Sequence, residues 1–571
     1  MKLIFQYLRR HIYIFLISTL FLTLEAVADL LQPTFMSYIV DKGVENADIR
    51  KILSYGAVML CIVLLGAVSA VMRNIFASRT SQAIGKELRR DMYHRVQTLS
   101  LENIDRLQPA SVITRITNDV AQIQEFINGM MRIMAKAPIT CVGAIVLIIV
   151  QTPRQAPIMI AIILVVAALI FGNVKIGYPR FAKVQNKLDK LNGVAREFLT
   201  SVRVVKAFNA ECEEAKKFNT ASNELATAST EALQVMSVFF PLINLSVNFG
   251  IVILLWISKS QDVSQIGKLM ASINYMTQVL FSVTIISNVI NVAVRAIASS
   301  RRIQEVLDEK PAQVVPDRPQ RPEILGDICF EHVSFAYANA GKDALHNIDF
   351  HIKSGETIGI IGPTGSGKTT LINLILGFYD AQEGKVLIDG CDVKQIDKKW
   401  LRSAVAIAPQ KALLFSGTIR ENLLWGDSKA DDEALQKAAE IACADFIQKT
   451  ERGYDTVLGQ GGVNLSGGQK QRLSLARALV RNPKILILDD CTSALDAETE
   501  AAVLRGLRSL SGSMTILLIS QRISTVRKAD RILCLEQGEM KGFGTHEELL
   551  ASCPLYRDIY DSQIGGDSHG R

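Results

Sequence analysis

The sequence predicts an α-helical membrane domain of six spans fused to a soluble α/β domain. Apolar residues make up 49% of its 571 positions and concentrate before about Ile297. Several windows there approach twenty residues with almost no charge, the length a helix needs to cross a bilayer. After about Ile324, short apolar runs alternate with glycine and polar turns, the texture of strands and short helices. Between these halves, Asp308 to Pro322 carries Pro311, Pro316, Pro319 and Pro322 among charges, an extended spacer. The predicted boundaries are 1–307 for the membrane domain, 308–323 for the linker and 324–571 for the α/β domain.

The six spans fall at about 13–38, 53–77, 133–152, 156–176, 233–258 and 270–297. Three connections are short: Asp41 to Lys51, Thr152 to Ala156 and Lys259 to Lys268. Two are long, Arg79 to about Arg132 and Pro179 to about Glu231, and both keep charged residues at helical spacing. Helical arms of roughly 25 residues, such as Ser81 to Ser100 and Phe181 to Phe208, would project about 40 Å from the bilayer. The basic N-terminus, Met1 to Arg10, precedes an apolar stretch too long for a signal peptide and without a small-residue cleavage site, so it reads as a retained first span.

An even number of spans returns the chain to its starting side. With the soluble C-terminal half placed on the inner side, both termini and both long connections are cytosolic. The positive-inside rule agrees only weakly, because Lys42, Arg50 and Lys51 fall on the outer side. A net charge of +7 with no basic-aromatic interleaving excludes nucleic acid as a partner. The nine scattered cysteines form no C-x-x-C pair, which points to reduced thiols rather than a metal centre.

Polar side chains inside spans are costly and mark either function or helix pairing. Glu25 and Asp29, four apart on the first span, share one face that Pro33 continues. They would line a cavity for cationic or polar substrates, or pair with Arg and amide groups between helices. The same two readings apply to Asn244, Ser246 and Asn248 on the fifth span and to Asn274, Thr277, Gln278 and Asn288 on the sixth.

In the α/β domain, Thr357 to Ile361 is a short buried-strand run leading into Gly362-Pro363-Thr364-Gly365-Ser366-Gly367-Lys368-Thr369. A helix from Thr370 to Leu376 follows, so strand, glycine-rich loop and helix surround a G-x-x-x-x-G-K-[ST] match. Small residues let backbone N–H groups close round phosphate oxygens, and the helix N-terminus adds partial positive charge. Lys368 would reach the β- and γ-phosphates of ATP, and the Thr369 hydroxyl would ligate Mg²⁺. Downstream, Ile485-Leu486-Ile487-Leu488-Asp489-Asp490 is an apolar strand ending in an acid placed to bind that metal.

With these motifs in order, the chain resembles a half-transporter of the ATP-binding cassette (ABC) exporter family over essentially its whole length. The resemblance implies the type I exporter fold, a six-span domain fused to an ABC nucleotide-binding domain. It implies that Tyr337, in Val333-Ser334-Phe335-Ala336-Tyr337, stacks on adenine, with Thr370 completing the loop residues at the nucleotide. Gln410, in Ala408-Pro409-Gln410, would sense Mg²⁺ beside Thr369 and Asp489. Leu465-Ser466-Gly467-Gly468-Gln469 matches the family signature, and Ser493-Ala494-Leu495-Asp496 the loop that crosses the dimer interface. Ser466, Gly467, Gly468, Gln469 and Asp496 would then act in trans, on nucleotide held by a partner's phosphate loop. Thr114 to Val120 and Val202 to Phe208 resemble the two arm regions, with coupling helices expected near Asn103–Ala110 and Asp189–Gly193.

Two positions depart from the family pattern. Asp490 stands where a catalytic glutamate is expected, and Gln521, in Ile519-Ser520-Gln521-Arg522, where a histidine contacts the γ-phosphate. Gly459-Gln460-Gly461-Gly462 also replaces the consensus Gly-Glu-Arg-Gly before the signature. This pattern resembles the degenerate-site subunit of bacterial heterodimeric multidrug exporters. The expected function is ATP-driven export of a small hydrophobic or amphipathic substrate across the cytoplasmic membrane, with a second homologous half-transporter as partner and membrane lipid as surroundings. The alternatives are a homodimeric lipid or drug exporter with slow ATPase and a membrane ATP sensor that moves nothing.

Overall fold

The computed structural model describes residues 1–564 apart from 155, 259–265, 314, 315, 317, 339 and 340; the side chains of 240, 257, 258, 283–291 and 564 also lie outside the described set. The chain divides into two compact units, Met1–Gln97 with Ala110–Asp308, and Thr98–Pro109 with Glu309–Arg571.

The first unit is all helical. Its helices are α1 (Lys2–Arg10), α2 (Ile12–Tyr38), α3 (Ile49–Thr98), and, after the short α4 (Leu101–Leu107) of the other unit, α5 (Pro109–Thr114), α6 (Val120–Gly129) and α7 (Lys136–Gln151). Then come α8 (Ala156–Ala207), α9 (Glu211–Ser258) and α10 (Ile266–Asp308). Among the described residues, five helices are long and apolar enough to cross a membrane: Ile12–Val44, Ile49–Thr98, Pro109–Gln151, Ala156–Ala207 and Glu211–Trp256. The sixth expected span, about 270–297, lies on α10, part of whose side chains fall outside the described set. The last short connection, Lys259 to Lys268, falls largely on residues 259–265, outside that set as well.

Span and arm are one helix rather than two elements. The 52 residues of α8 run about 78 Å at 1.5 Å per residue. Its first half is apolar and its second half charged, so one rod passes from hydrocarbon to water without a break. For that reason the coupling helix expected at Asp189–Gly193 is not there. Those residues sit inside α8, and the chain reverses at Phe208–Ala210 instead. Gly193 costs a helix only about 1 kcal/mol, too little to end one supported by dozens of backbone bonds. The short helix expected near Asn103–Ala110 is present as α4.

Leu60, Leu64, Leu65 and Val68 on α3 are exposed, as a lipid-facing stripe requires. Inward, Leu30, Ile148, Met159, Leu254 and Tyr275 form an apolar core. Hydroxyl and amide pairs join helices across it: Gln151 Nε2 donates to Thr34 Oγ1 (2.9 Å), Thr34 Oγ1 meets the Tyr275 hydroxyl (2.6 Å), and Thr140 meets Ser282 (2.8 Å). In hydrocarbon such pairs hold helices together because the alternative is an unmet polar group.

The second unit holds the strands. A four-stranded antiparallel sheet runs β2-β1-β4-β5, from β1 (Ile328–Phe335), β2 (Leu345–Ile352), β4 (Glu383–Ile388) and β5 (Cys391–Asp392). A six-stranded sheet runs β12-β11-β3-β10-β9-β6, from β3 (Thr357–Ile361), β6 (Val405–Ala408), β9 (Ile485–Asp489), β10 (Thr515–Ile519), β11 (Arg531–Glu536) and β12 (Glu539–Gly544). It is parallel except for the β11/β12 pair. Every residue of β9 and β10 is buried, as expected of central parallel strands covered on both faces. A two-stranded ribbon joins β7 (Gly417–Thr418) to β8 (Val457–Leu458).

The helix α4 belongs to this unit and docks by specific bonds. Asn103 Nδ2 donates to the Lys310 carbonyl (2.9 Å), Asn103 Oδ1 accepts from the Ala312 N–H (2.8 Å), and the Tyr379 hydroxyl donates to Asp105.

Candidate functional site

Three parallel strands end side by side and place the chemistry. Strand β10 pairs with β3 on one side and β9 on the other, with Ile519 level with Ile360 and with Asp489. The phosphate loop leaves β3, the paired acids close β9, and Ser520–Gln521 leaves β10, so all three converge at the carboxyl ends of the strands. Ligands of open α/β sheets bind at that edge.

The loop's shape depends on close backbone approach. A Cβ at Gly362 would lie 2.1 Å from the Leu535 carbonyl oxygen. Gly367 holds φ +101° as the N-cap of the helix Lys368–Ile375, a conformation disfavoured for residues with a Cβ. Gly362→Ala is therefore expected to destabilise the nucleotide unit by about 1–3 kcal/mol and to abolish nucleotide binding. Thermal unfolding with and without ATP checks this.

The Lys368 ammonium is held over the loop, donating to the Gly362 and Pro363 carbonyls (2.8 and 2.7 Å) and to Ser366 Oγ (3.2 Å). Burial lowers its pKa, against the opposing pull of Asp489 and Asp490. Asp489 is 8% exposed. Burial raises its pKa, the neighbouring Asp490 raises it further, and only Lys368 opposes them. Burial also raises the pKa of Asp490, while a hydrogen bond from Gln410 Nε2 (3.4 Å) to its Oδ2 lowers it. Asp490 has φ +46°, a left-handed conformation that short aspartate tolerates better than most residues, and its N–H donates to the Ile519 carbonyl (2.9 Å). Tyr337 stands at the rim, its hydroxyl 3.2 Å from Thr370 Oγ1 and its ring edge-on to Phe335 and Tyr379.

One cavity of about 340 Å³ thus gathers Tyr337, Thr364–Thr370, Gln410, Asp489, Asp490 and Gln521. Gly362 and Pro363 form the root of its loop. Ser466, Gly467, Gly468, Gln469 and Asp496 do not line it. Ser466 instead caps the helix Gly467–Val480, with Ser466 Oγ accepting from the Gln469 N–H and Gln469 Oε1 from the Ser466 N–H. Asp496 caps Ala497–Arg508 by accepting from the Thr499 N–H (3.0 Å), a bond that lowers its pKa. Gln471 ties the two segments together, accepting from the Ala494 N–H (3.0 Å) and donating to Ser493 Oγ (3.2 Å).

Sequence reasoning missed Glu500. Buried at 7% exposure, it accepts from Thr492 (2.9 Å), Thr525 (2.7 Å) and Arg522 (3.2 Å), and so braces the segment carrying Gln521. A lone carboxylate on the inner face of an amphipathic helix was the available signal.

Residues that could hold Mg²⁺ fit the ion. Thr369, Gln410 and Asp489 offer oxygen donors around one cavity, the donor class this cation takes. A buried and a half-buried carboxylate facing a single lysine are a charge arrangement that a divalent cation would offset.

In the membrane unit Glu25 and Asp29 take part in pairing between helices, the second of their two readings. The Arg73 guanidinium donates to Glu25 (2.5 Å), and the Lys136 ammonium lies 2.6 Å from Glu25 and 2.7 Å from Asp29. Both acids are therefore neutralised from within the chain. Asp29 and Gln278 do share a second cavity, of about 300 Å³. Asn248 and Asn274 donate to carbonyls one turn back on their own helices, those of Asn244 and Met270, and none of these three asparagines lines that cavity. The side chain of Asn288 lies outside the described residues.

Known proteins show the same two-part plan. Residues 15–283 match the ABC transporter transmembrane region and residues 345–493 the ABC transporter domain. The chain is 37% identical over 557 residues to the ABC transporter ATP-binding protein YfiB of Bacillus subtilis, covering 96% of each. Its identity to YfiC of the same organism is 31% over 577 residues, covering 99% of this chain and 94% of that protein. A solved structure of a bacterial Atm1-family ABC exporter with ATP bound is similar at a TM-score of 0.78, with 26% identity and 98% of both chains covered. A membrane region and a single cassette, matched in that order along nearly the full length, make this chain a member of the ABC transporter family, an exporter half-transporter.

Proposed function

We propose that this half-transporter is the hydrolysis-poor partner of a heterodimeric exporter that moves a small hydrophobic or amphipathic substrate out across the cytoplasmic membrane. The observation that carries this reading is the pairing of Asp490 and Gln521 at the mouth of an otherwise complete nucleotide cavity.

In this reading Tyr337 stacks on adenine, the loop Gly362–Thr369 closes on the phosphates, and Lys368 moves from loop carbonyls to phosphate oxygens. Thr369, Gln410 and Asp489 hold Mg²⁺, which when bound neutralises phosphate charge. Asp490 is one methylene shorter than the glutamate it replaces, so its carboxylate recedes from the attacking water. Loss of such a positioned base costs about 10²–10⁴-fold in rate. Gln521 donates a hydrogen bond but carries neither proton nor charge. The site then binds ATP and holds it.

The signature is intact, and it lies at the N-terminus of the helix Gly467–Val480, an end that suits an anion. Ser466–Gln469 and Asp496 complete the partner's hydrolytic site, at ATP bound by the partner's loop. ATP binding closes the two cassettes, the long arms carry that closure to the spans, and hydrolysis at the partner's site resets the pair. Both termini and the nucleotide unit are cytosolic.

The test is the ATPase rate of the purified chain alone against the chain with its partner. The expected result is slow turnover alone and brisk turnover of the pair. Brisk turnover by the chain alone would overturn the reading in favour of a homodimer.

A further inference from the structure

We propose that the membrane cavity beside Asp29 is a binding site for the head group of an anionic amphiphile. It is lined by Asp29, Gln32, Arg132, Lys136, Gln278 and Phe281, among others. Here the export reading supplies only the word substrate; the chemistry of the site stands on the following geometry.

Charge comes first. Three cations, Arg73, Arg132 and Lys136, surround two carboxylates, Glu25 and Asp29. Arg73 is committed to Glu25 and, through Nη1, to the Arg132 carbonyl oxygen (2.9 Å), while Lys136 is shared between both acids. Among the described residues, no carboxylate lies within ion-pair distance of the Arg132 guanidinium, which lines the cavity. Val283 to Asn291, whose side chains are not described, contain no ionisable residue, so they supply no counter-charge. Among the described residues the cavity therefore carries one positive charge in excess.

Depth makes that excess matter. Asp29 is nine residues from Tyr38, the end of α2, and Lys136 fifteen residues from Gln151, the end of α7. At 1.5 Å per residue these are about 14 and 22 Å, inside a hydrocarbon core about 30 Å thick. Arg132, nineteen residues from Gln151, lies about 28 Å from it, at the opposite edge of that core. Ionisable residues on membrane-crossing helices mark ligand paths. An anionic head group offsets the charge with charge-assisted hydrogen bonds to the guanidinium.

One further feature defines the occupant. Ile133 and Phe281, exposed at the same cavity, offer an apolar wall for a chain. An acyl tail with a carboxylate or phosphate head satisfies both demands.

The experiment uses the full-length chain in phosphatidylcholine nanodiscs, without ATP, with radiolabelled N-dodecanoylglycine and dodecyltrimethylammonium as probes of equal tail length. The anionic probe is expected to bind at least about tenfold tighter, the worth of one charge-assisted hydrogen bond. Arg132→Gln is expected to erase that preference and Arg132→Glu to reverse it, while both variants retain ATP binding, which shows that they fold. Equal binding of the two probes by the native chain, or an unchanged preference in Arg132→Glu, would overturn the proposal. Adding phosphatidylglycerol to the discs identifies the source: displacement of the probe points to a bilayer lipid, retention to a monomeric amphiphile, and both support an anion site. Because no ATP is present, a failed export reading leaves this result untouched.

Discussion

A chain carrying both Asp490→Glu and Gln521→His is expected to turn over ATP by itself about 10²-fold faster than the native chain, the low end of what a positioned general base contributes. The other groups that this chain brings to its own loop are in place. Asp489 is buried at the foot of the cavity, Lys368 lies over the loop, and Gln410 reaches the carboxylate at position 490. The added methylene brings the carboxylate toward the water, and histidine restores a group that can carry charge at the γ-phosphate. The backbone opposes this modestly. Position 490 sits at φ +46°, where aspartate is tolerated better than a longer side chain. Single-turnover ATPase of the native chain, both single variants and the double variant measures the gain. If the double variant stays as slow as the native chain, the short carboxylate is not what limits hydrolysis.

The second large effect separates the two half-sites of this chain. Ser466→Arg is expected to reduce ATPase of the assembled pair by 10²-fold or more, as removal of a transition-state hydrogen-bond donor does. Asp490→Ala is expected to leave most of that activity. Ser466 Oγ caps its helix by accepting the Gln469 N–H, so the arginine removes a cap and fills the space where a partner's phosphate would dock. The folding cost of losing such a cap, about 1 kcal/mol, is too small to explain a loss of that size. ATP binding at the chain's own loop should survive in both variants, because neither residue belongs to the loop. Comparable losses from the two substitutions would mean two equivalent sites.

Much of this was legible in the residues because the signals are local. Glycine spacing between an apolar strand and a helix specifies a phosphate loop, and an apolar run ending in Asp489 specifies an acid at the end of a buried strand. Span lengths follow from hydrophobic runs. The misplaced coupling helix, by contrast, came from expecting a break at Asp189–Gly193, where α8 runs through without one. The local mark of the reversal at Phe208–Ala210 is a single residue, Asn209, which takes φ +51° just past the end of α8. Glu500 was missed because its partners, Thr492, Thr525 and Arg522, come from separate elements.

The order of motifs, the shortened acid at position 490 and the glutamine at 521 are properties of the chain alone, since residue identity and spacing define them. Folding decided which of its charges are spent. Glu25 meets Arg73 and Lys136, which lie 48 and 111 positions away, leaving Arg132 without a counter-ion in the cavity. Folding also inserted β10 between β3 and β9, so that Gln521 joins the two acids, and it grouped Thr98–Pro109 with the cassette. Helix periodicity and turn chemistry act within a few residues, whereas ion pairing and strand order arise from contacts between distant segments.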